Sequence, residues 1–470
     1  MRMNTIVMPR WLDHCVAGGE IRRTVLSAET RPAHPIHPFN SISPYFCIMK
    51  HLPLFLLVLI LGMGPGSIAQ SQDSFKNDIL VLTSDSLEGR LVGSPGEAKA
   101  AQYIAKRMQS IGLSPKGNVD YFQYFSFTPH ASPHKIENGD KVTLGQGYVK
   151  EQTGRNVVGY WDRQGTKTIV IGAHYDHLGY GDENSLWSGA PGIHRGADDN
   201  ASGVAALLAI AQRLKNSAPD KLGDANFLFI AFSGEEKGLY GSNYFCKNPT
   251  IPIESISCMF NMDMVGRLKS ERTFAINGTG TSPFWEKNIK KLNKKMDRPF
   301  ELVLSKSGVG PSDHTSFYNV GIPAIHFFTG QHGEYHKPTD TENLINYDGL
   351  KDIASYIESI VVKSAQEKKL SFTTTKDESK QTASNFKVTL GVMPDYLYNG
   401  IGLKIDGTKE GRPGAKAGLQ QGDIILKMGK YDINDIYGYM DALGKFNPGE
   451  KTDIEVKRGE KKLKLNVTFE

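Results

Sequence analysis

The sequence predicts an α/β fold, a largely parallel mixed sheet sandwiched by helices, followed by a small β-rich unit. Three observations carry that expectation. Short, nearly continuous apolar runs such as Thr168–Ala173 and Asn226–Phe232 suit central strands covered on both faces. These runs alternate with segments of helical spacing, which implies parallel strands joined by helical crossovers. After Ser371–Ser384, rich in Ser, Thr and Lys, the composition turns to short strands and many glycines.

At 470 residues the chain is long enough for two domains and a large core. Its formal net charge of +5 is modest, and the basic residues are dispersed. The densest basic run, Lys290–Arg298, interleaves no aromatics with its cations, so a nucleic-acid site is not expected.

Met49-Lys50-His51, the apolar run Leu52–Met63 and the small residues Ser67 and Ala69 read as a secretory signal peptide over 49–69. The run is shorter than the roughly 20 apolar residues of a membrane span. An exported, periplasmic or extracellular protein without a stable span after cleavage is expected. Residues 1–48 precede a complete signal and read as an over-extended start. Cys246 and Cys258 then remain, either joined or as two separate buried thiols.

In chain order, Ser74–Ser86 reads as a helix, followed by Leu87-Glu-Gly-Arg90 and a Gly-Ser-Pro-Gly turn. Glu97–Ile111 carries Ala101, Ile104, Ala105, Met108 and Ile111 at helical spacing and stops at Gly112. Tyr121–Thr128 alternates aromatic and polar residues, and Val157–Tyr160 and Thr168–Ala173 read as further strands. Gly203–Lys215 is a helix, Asn226–Phe232 a buried strand and Glu236–Cys246 a helix. Ser257–Met262 is a strand, Ser282–Lys295 a basic amphipathic helix, Ala324–Phe328 a strand and Tyr347–Lys363 a closing helix. The expected domains are 70–370 and 386–470, with 371–385 as linker.

Chemistry gathers at the ends of these strands, where ligands bind in open α/β sheets. His174 and Asp176 lie two apart at a strand end, so both point the same way. Asp176 is placed to hold the second ring nitrogen of a metal-bound His174. Asp198 and Asp199 sit in Gly-Ala-Asp-Asp-Asn-Ala-Ser-Gly, where a plain helix N-cap is the competing explanation. Glu235 and Glu236 follow a buried strand through Ser-Gly; one could bind metal and the other act as base. Asp263 ends an apolar strand, where an unpaired carboxylate is costly to bury. His336 lies in a loop. Two histidines and three carboxylates, one bridging, satisfy two zinc ions with room for water. Manganese or cobalt suits the same donors. A serine or cysteine nucleophile lacks support around Ser233 and Cys246.

Ala-His174-Tyr-Asp176, Gly-Ala-Asp-Asp199-Asn-Ala-Ser-Gly, Phe-Ser-Gly-Glu235-Glu236, Asn-Met-Asp263-Met-Val-Gly and Tyr335-His336-x-Pro-x-Asp-Thr together resemble the di-zinc aminopeptidases of metallopeptidase family 28. The likeness runs from about Asp78 to Val362 and includes Leu87-Glu-Gly-Arg90. It implies the zinc exopeptidase fold and peptide or protein substrates. One ion would be held by His174, Asp199 and Asp263, the other by Asp199, Glu236 and His336. Glu235 would be the general base, Tyr335 a donor to the oxyanion, and Asp198 structural. Leu390-Gly-Val-Met393 and Gly414–Ile425 resemble the carboxylate-binding loop and helix–turn–strand of PDZ domains in bacterial envelope proteases, with Asp435–Leu443 as the helix flanking a groove for a peptide C-terminus. Two competing functions share parts of this pattern. A glutaminyl-cyclase-type transferase would use one zinc, and a non-catalytic scaffold would lose ligands.

Overall fold

In a computed structural model, the chain is described over residues 69–469, apart from 129–133, 138–139, 144–150, 182–183, 376–386, 396–397, 399 and 409–410. The leader expected over 49–69 and the segment before it lie outside the described residues, save for Ala69, where a helix begins. Among the described residues no helix is long and apolar enough to cross a membrane.

Among the described residues, nine strands form the main sheet. At its centre Ala225–Phe232, Lys167–His174, Ile256–Met262 and Ala324–Phe328 run parallel, in that spatial order. Every residue of these four strands is buried, which explains their almost unbroken apolar sequence. Gln152–Trp161 adds antiparallel on one side, with Phe122–Phe127 on its far edge. On the other side Thr273–Asn277 pairs antiparallel with Ala324–Phe328, and Glu301–Leu304 parallel with Thr273–Asn277. Those two flanking strands were not anticipated from the sequence. Each is short, and Glu301–Leu304 lies at the open edge of the sheet.

Helices cover both faces. Gly203–Lys215 presents Val204, Leu207, Leu208 and Ala211 to the larger core, together with Phe227, Phe260 and Ile357. On the opposite face Phe245, Phe317 and Met259 pack with Val158, Val170 and Leu228. The registers set His174 opposite Phe232, and Phe327 opposite Met262. The carboxyl ends of all four central strands therefore finish at one level.

Two helices differ from expectation. The first ends at Leu82, and a separate tight turn follows over Asp85–Arg90. The helix expected from Glu236 begins only at Tyr240. Gly234 and Gly238 have φ of 75° and 107°, and Leu239 has φ of 61°, so the chain turns before it can coil. Glu235 and Glu236 are displayed on that turn rather than on a helix face.

The carboxy-terminal unit has its own sheet, in the order Val392–Pro394, Leu403–Thr408, Ile424–Met428, Lys451–Arg458 and Lys461–Thr468, all antiparallel. Ile405, Ile425, Ile454 and Leu443 form a core of their own. Residues 371–375, expected in a free linker, instead lie along the first unit. Thr373 donates its amide to Thr281 (2.8 Å), Thr375 bonds Tyr318 and Gly308, and Phe372 packs on the Tyr318 ring.

Candidate metal centre

His174 is the last residue of its strand and is buried. Its Nδ1 lies 3.3 Å from the carbonyl oxygen of Asp176 and 3.6 Å from Asp176 Oδ1. Both oxygens accept, so the proton belongs on Nδ1 and the Nε2 lone pair is free. That Nε2 faces Asp199 Oδ1 and Asp263 Oδ1, each at 3.3 Å. Asp176 also accepts the Glu235 amide at 3.1 Å, so one carboxylate links the ends of two neighbouring strands.

A second group of donors faces the other oxygen of Asp199. His336 Nε2 stands 3.3 Å from Asp199 Oδ2 and 3.1 Å from Glu236 Oε2. Its Nδ1 donates to the carbonyl of Asn184 at 2.8 Å, again leaving Nε2 as the lone pair. His336 has φ of 55°, an uncommon backbone for histidine, and its carbonyl accepts the amide of Leu186 at 3.0 Å. The structure thus brings together His174, Asp199, Asp263, Glu236 and His336, with Asp199 between two donor groups.

Asp199 comes from a turn with no regular geometry (φ −106°, ψ 90°). The amides of Asp198 and Asp199 both donate to Asp340 Oδ2, at 2.9 and 3.1 Å, and the Ala197 amide reaches the Asp340 carbonyl at 3.2 Å. Asn200 ties the same turn to the strand end that carries Asp263. Its Nδ2 donates to Met262, and its Oδ1 accepts the amides of Met264 and Gly203. Asn200 therefore caps the following helix, which releases Asp198 and Asp199 from that task. Asp198 Oδ1 accepts the Gly266 amide (2.6 Å) and the Ser202 hydroxyl (3.0 Å), and Oδ2 lies 3.2 Å from His332 Nε2. These bonds point Asp198 away from the shared group, as a structural residue.

Below the turn, Arg90 is fully buried and donates to the carbonyls of Tyr175, Arg195, Gly196 and Leu82. Burial lowers its pKa to about 10, while Asp176, Asp199, Asp340 and Glu236 oppose the loss of charge. The guanidinium holds the strand end beside His174 against the segment leading to Asp199. Glu97 does similar work elsewhere, accepting from Tyr175, Ser233 and the Arg155 amide.

Electrostatics follow from crowding of charge. Burial raises the Glu235 carboxyl well above its ordinary range, and the carboxylates Asp263, Glu236 and Asp313 add to that. Burial also opposes ionisation of Glu236, but His336 and His177 outweigh it and hold its pKa at about 2. Burial disfavours a charged His174, yet Asp263, Glu235, Asp176 and Asp199 raise it well above its usual value. Once a cation displaces the Nε2 protons of His174 and His336, anionic oxygens on Asp199, Asp263 and Glu236 share one buried volume with two imidazole lone pairs. Such a donor set fits divalent cations, zinc first. The ring of Tyr335 stacks on His336 at 3.8 Å between centroids and packs against Met264, Ala275 and Phe328.

Sequence reasoning missed His177. It is buried, and its Nδ1 lies 2.7 Å from Glu236 Oε1. Its position directly after His174-Tyr-Asp176 was the available signal.

Two stretches of the chain match known families. Residues 156–361 match peptidase family M28, and residues 370–469 match the PDZ domain. The chain carries an M28 peptidase domain followed by a PDZ domain. An aminopeptidase of Bacillus subtilis (strain 168) is 26% identical over 269 residues, covering 52% of this chain and 55% of that protein. A probable leucine aminopeptidase of Arthroderma otae is 30% identical over 195 residues, covering 40% of this chain and 50% of the other. The chain thus spans about half the length of the curated relatives it matches. The solved zinc aminopeptidase of Bacillus subtilis aligns over 64% of this chain and 98% of its own, at 17% identity and a TM-score of 0.49. The mixed α/β sheet and the separate antiparallel sheet agree with the two family assignments.

Proposed function

We propose that this M28 domain is an exported di-zinc exopeptidase, most naturally an aminopeptidase, acting on peptides. The supporting observation is the pair of donor groups that share Asp199: His174 and Asp263 on Oδ1, His336 and Glu236 on Oδ2. Zinc held by these residues would supply Lewis acidity toward a peptide carbonyl and a nearby water. Glu235 is left without a metal to bind, and its amide is anchored by Asp176 beside both donor groups. It takes the proton from the attacking water and delivers it to the leaving amine. Tyr335, stacked on His336, is the proposed donor to the oxyanion. Asp176 orients His174 and the Glu235 backbone together. The PDZ unit is proposed to hold a peptide C-terminus at Leu390–Met393, where extended chain can add beside Val392–Pro394.

A panel of aminoacyl chromogenic substrates and amino-blocked peptides, offered to the zinc-loaded full-length chain, tests the reading. Release of the amino-terminal residue from unblocked peptides alone is expected. Hydrolysis that ignores the blocking group contradicts aminopeptidase action.

A further inference from the structure

Among the described residues, His177, Asp199 and Glu236 also converge closely enough to hold an ion. His177 is thus either another ligand or a residue that acts on a ligand. The bonding decides between these. Glu236 Oε1 is 2.7 Å from His177 Nδ1, whereas Asp199 Oδ2 is 3.9 Å away. An ionised carboxylate can only accept, so a contact this short places a proton on Nδ1. That proton occupies the lone pair a metal would need. His336 is the opposite case: its Nδ1 proton is committed to Asn184, and its Nε2 lone pair faces Asp199 and Glu236.

We infer that His177 is a positioning residue that binds Glu236 Oε1 and so leaves Glu236 to meet metal through Oε2 alone. The inference rests on the di-zinc reading above. The two oxygens of Glu236 already face different partners, His177 on one side and His336 on the other. Packing locks the imidazole in that direction. Gly196 adopts φ of 54°, and a Cβ there would stand 2.6 Å from His177 Cδ2, so the ring lies flush against its backbone. The His177 amide donates to the Arg90 carbonyl at 3.2 Å, which anchors the residue from below. With Oε1 occupied, Glu236 cannot swing to grip the metal through both oxygens. A coordination position then stays open for water or substrate.

The test uses the full-length chain with His177→Asn and His177→Leu. Asparagine Nδ2 sits close to the position of histidine Nδ1 and preserves a donor, whereas leucine removes it. Zinc affinity is read by competition with a chromogenic chelator, beside kcat and KM. His177→Leu should still reach the wild-type zinc content at saturating zinc, with one site weakened roughly 10–100-fold. His177→Asn should recover most of that loss. His177→Leu binding both ions as tightly as wild type overturns the inference. So does His177→Asn losing one ion outright, which would make His177 a ligand. A measurement on the wild type holds even if neither variant folds. In the cobalt-loaded protein, proton NMR should show strongly contact-shifted ring N–H signals from His174 and His336 only. The His177 N–H, bonded to Glu236 and not to the metal, should be shifted much less, and a third signal with a contact shift as large as theirs makes His177 a ligand. If wild type binds no zinc at all, the di-zinc reading itself fails, a result distinct from these.

Discussion

Asp340 Oδ2 accepts the backbone amide of Asp199 at 3.1 Å, across 141 residues of sequence. The loop that supplies His336 therefore also fixes the backbone of the carboxylate shared by both donor groups. Asp340→Ala would leave the buried amides of Asp198 and Asp199 without an acceptor, costing roughly 1–3 kcal/mol each. Denaturant unfolding of the zinc-free protein should show that loss. Asp340→Asn should lose less, because its carbonyl oxygen can still accept. Equal stability of Asp340→Ala and wild type would deny the clamp.

Glu235 and Glu236 are neighbours with different surroundings, so the same change should act differently at each. Glu235→Gln should keep wild-type zinc content while kcat falls roughly 10²–10⁴-fold, as for a lost general base. KM should hold where substrate leaves faster than it reacts. Glu236→Gln should lose zinc affinity, and added zinc should partly restore turnover. Elemental analysis beside steady-state kinetics separates the two. Metal loss confined to Glu235→Gln would reverse the roles.

Cys246 and Cys258 are separate buried thiols, and burial pushes both well above the ordinary thiol range. Thiolate is the reactive form, so neither should react with Ellman's reagent in the native protein at neutral pH. Both should react at once in denaturant without reductant. Failure to titrate there would reveal a disulfide.

The segment 370–375 belongs physically to the peptidase domain. Leu370 is buried, and its amide donates to Ser257 Oγ at 3.0 Å. A chain ending at Ser384 should therefore keep turnover of small substrates near the full-length value, because every proposed ligand lies upstream. A chain ending at Lys369 loses a buried leucine and several hydrogen bonds, together worth about 3 kcal/mol or more. Its melting temperature should fall by roughly 5–10 °C. Identical melting of the two truncations would show that the strap contributes nothing.

The strands and the ligand-type residues were legible because both follow local rules. Central strands read as apolar runs, and His174, Asp263 and Glu235 stand directly at or after their ends. The rest depends on contacts distant in sequence. Thr273–Asn277 and Glu301–Leu304 are too short and too partially covered to show a clear period. The late start of the helix at Tyr240 follows from glycines at positive φ, which helical spacing overlooks. Arg90, Asp340 and His177 act by gripping backbone or another ligand, and such roles become visible only when remote segments meet. The strap at 371–375 looked like linker because its bonds are made by backbone amides, Thr375 and the ring of Phe372.

The proposed sharing of one carboxylate, Asp199, by two ions is what the other roles depend on. Its most direct test is zinc titration of the metal-free full-length protein and of Asp199→Asn, read by elemental analysis after exhaustive dialysis. Wild type should retain about two zinc ions per chain, the complement expected for two donor groups sharing a carboxylate. Asp199→Asn should weaken both sites together. A single tight ion in wild type, or loss of only one ion in Asp199→Asn, would contradict the shared ligand.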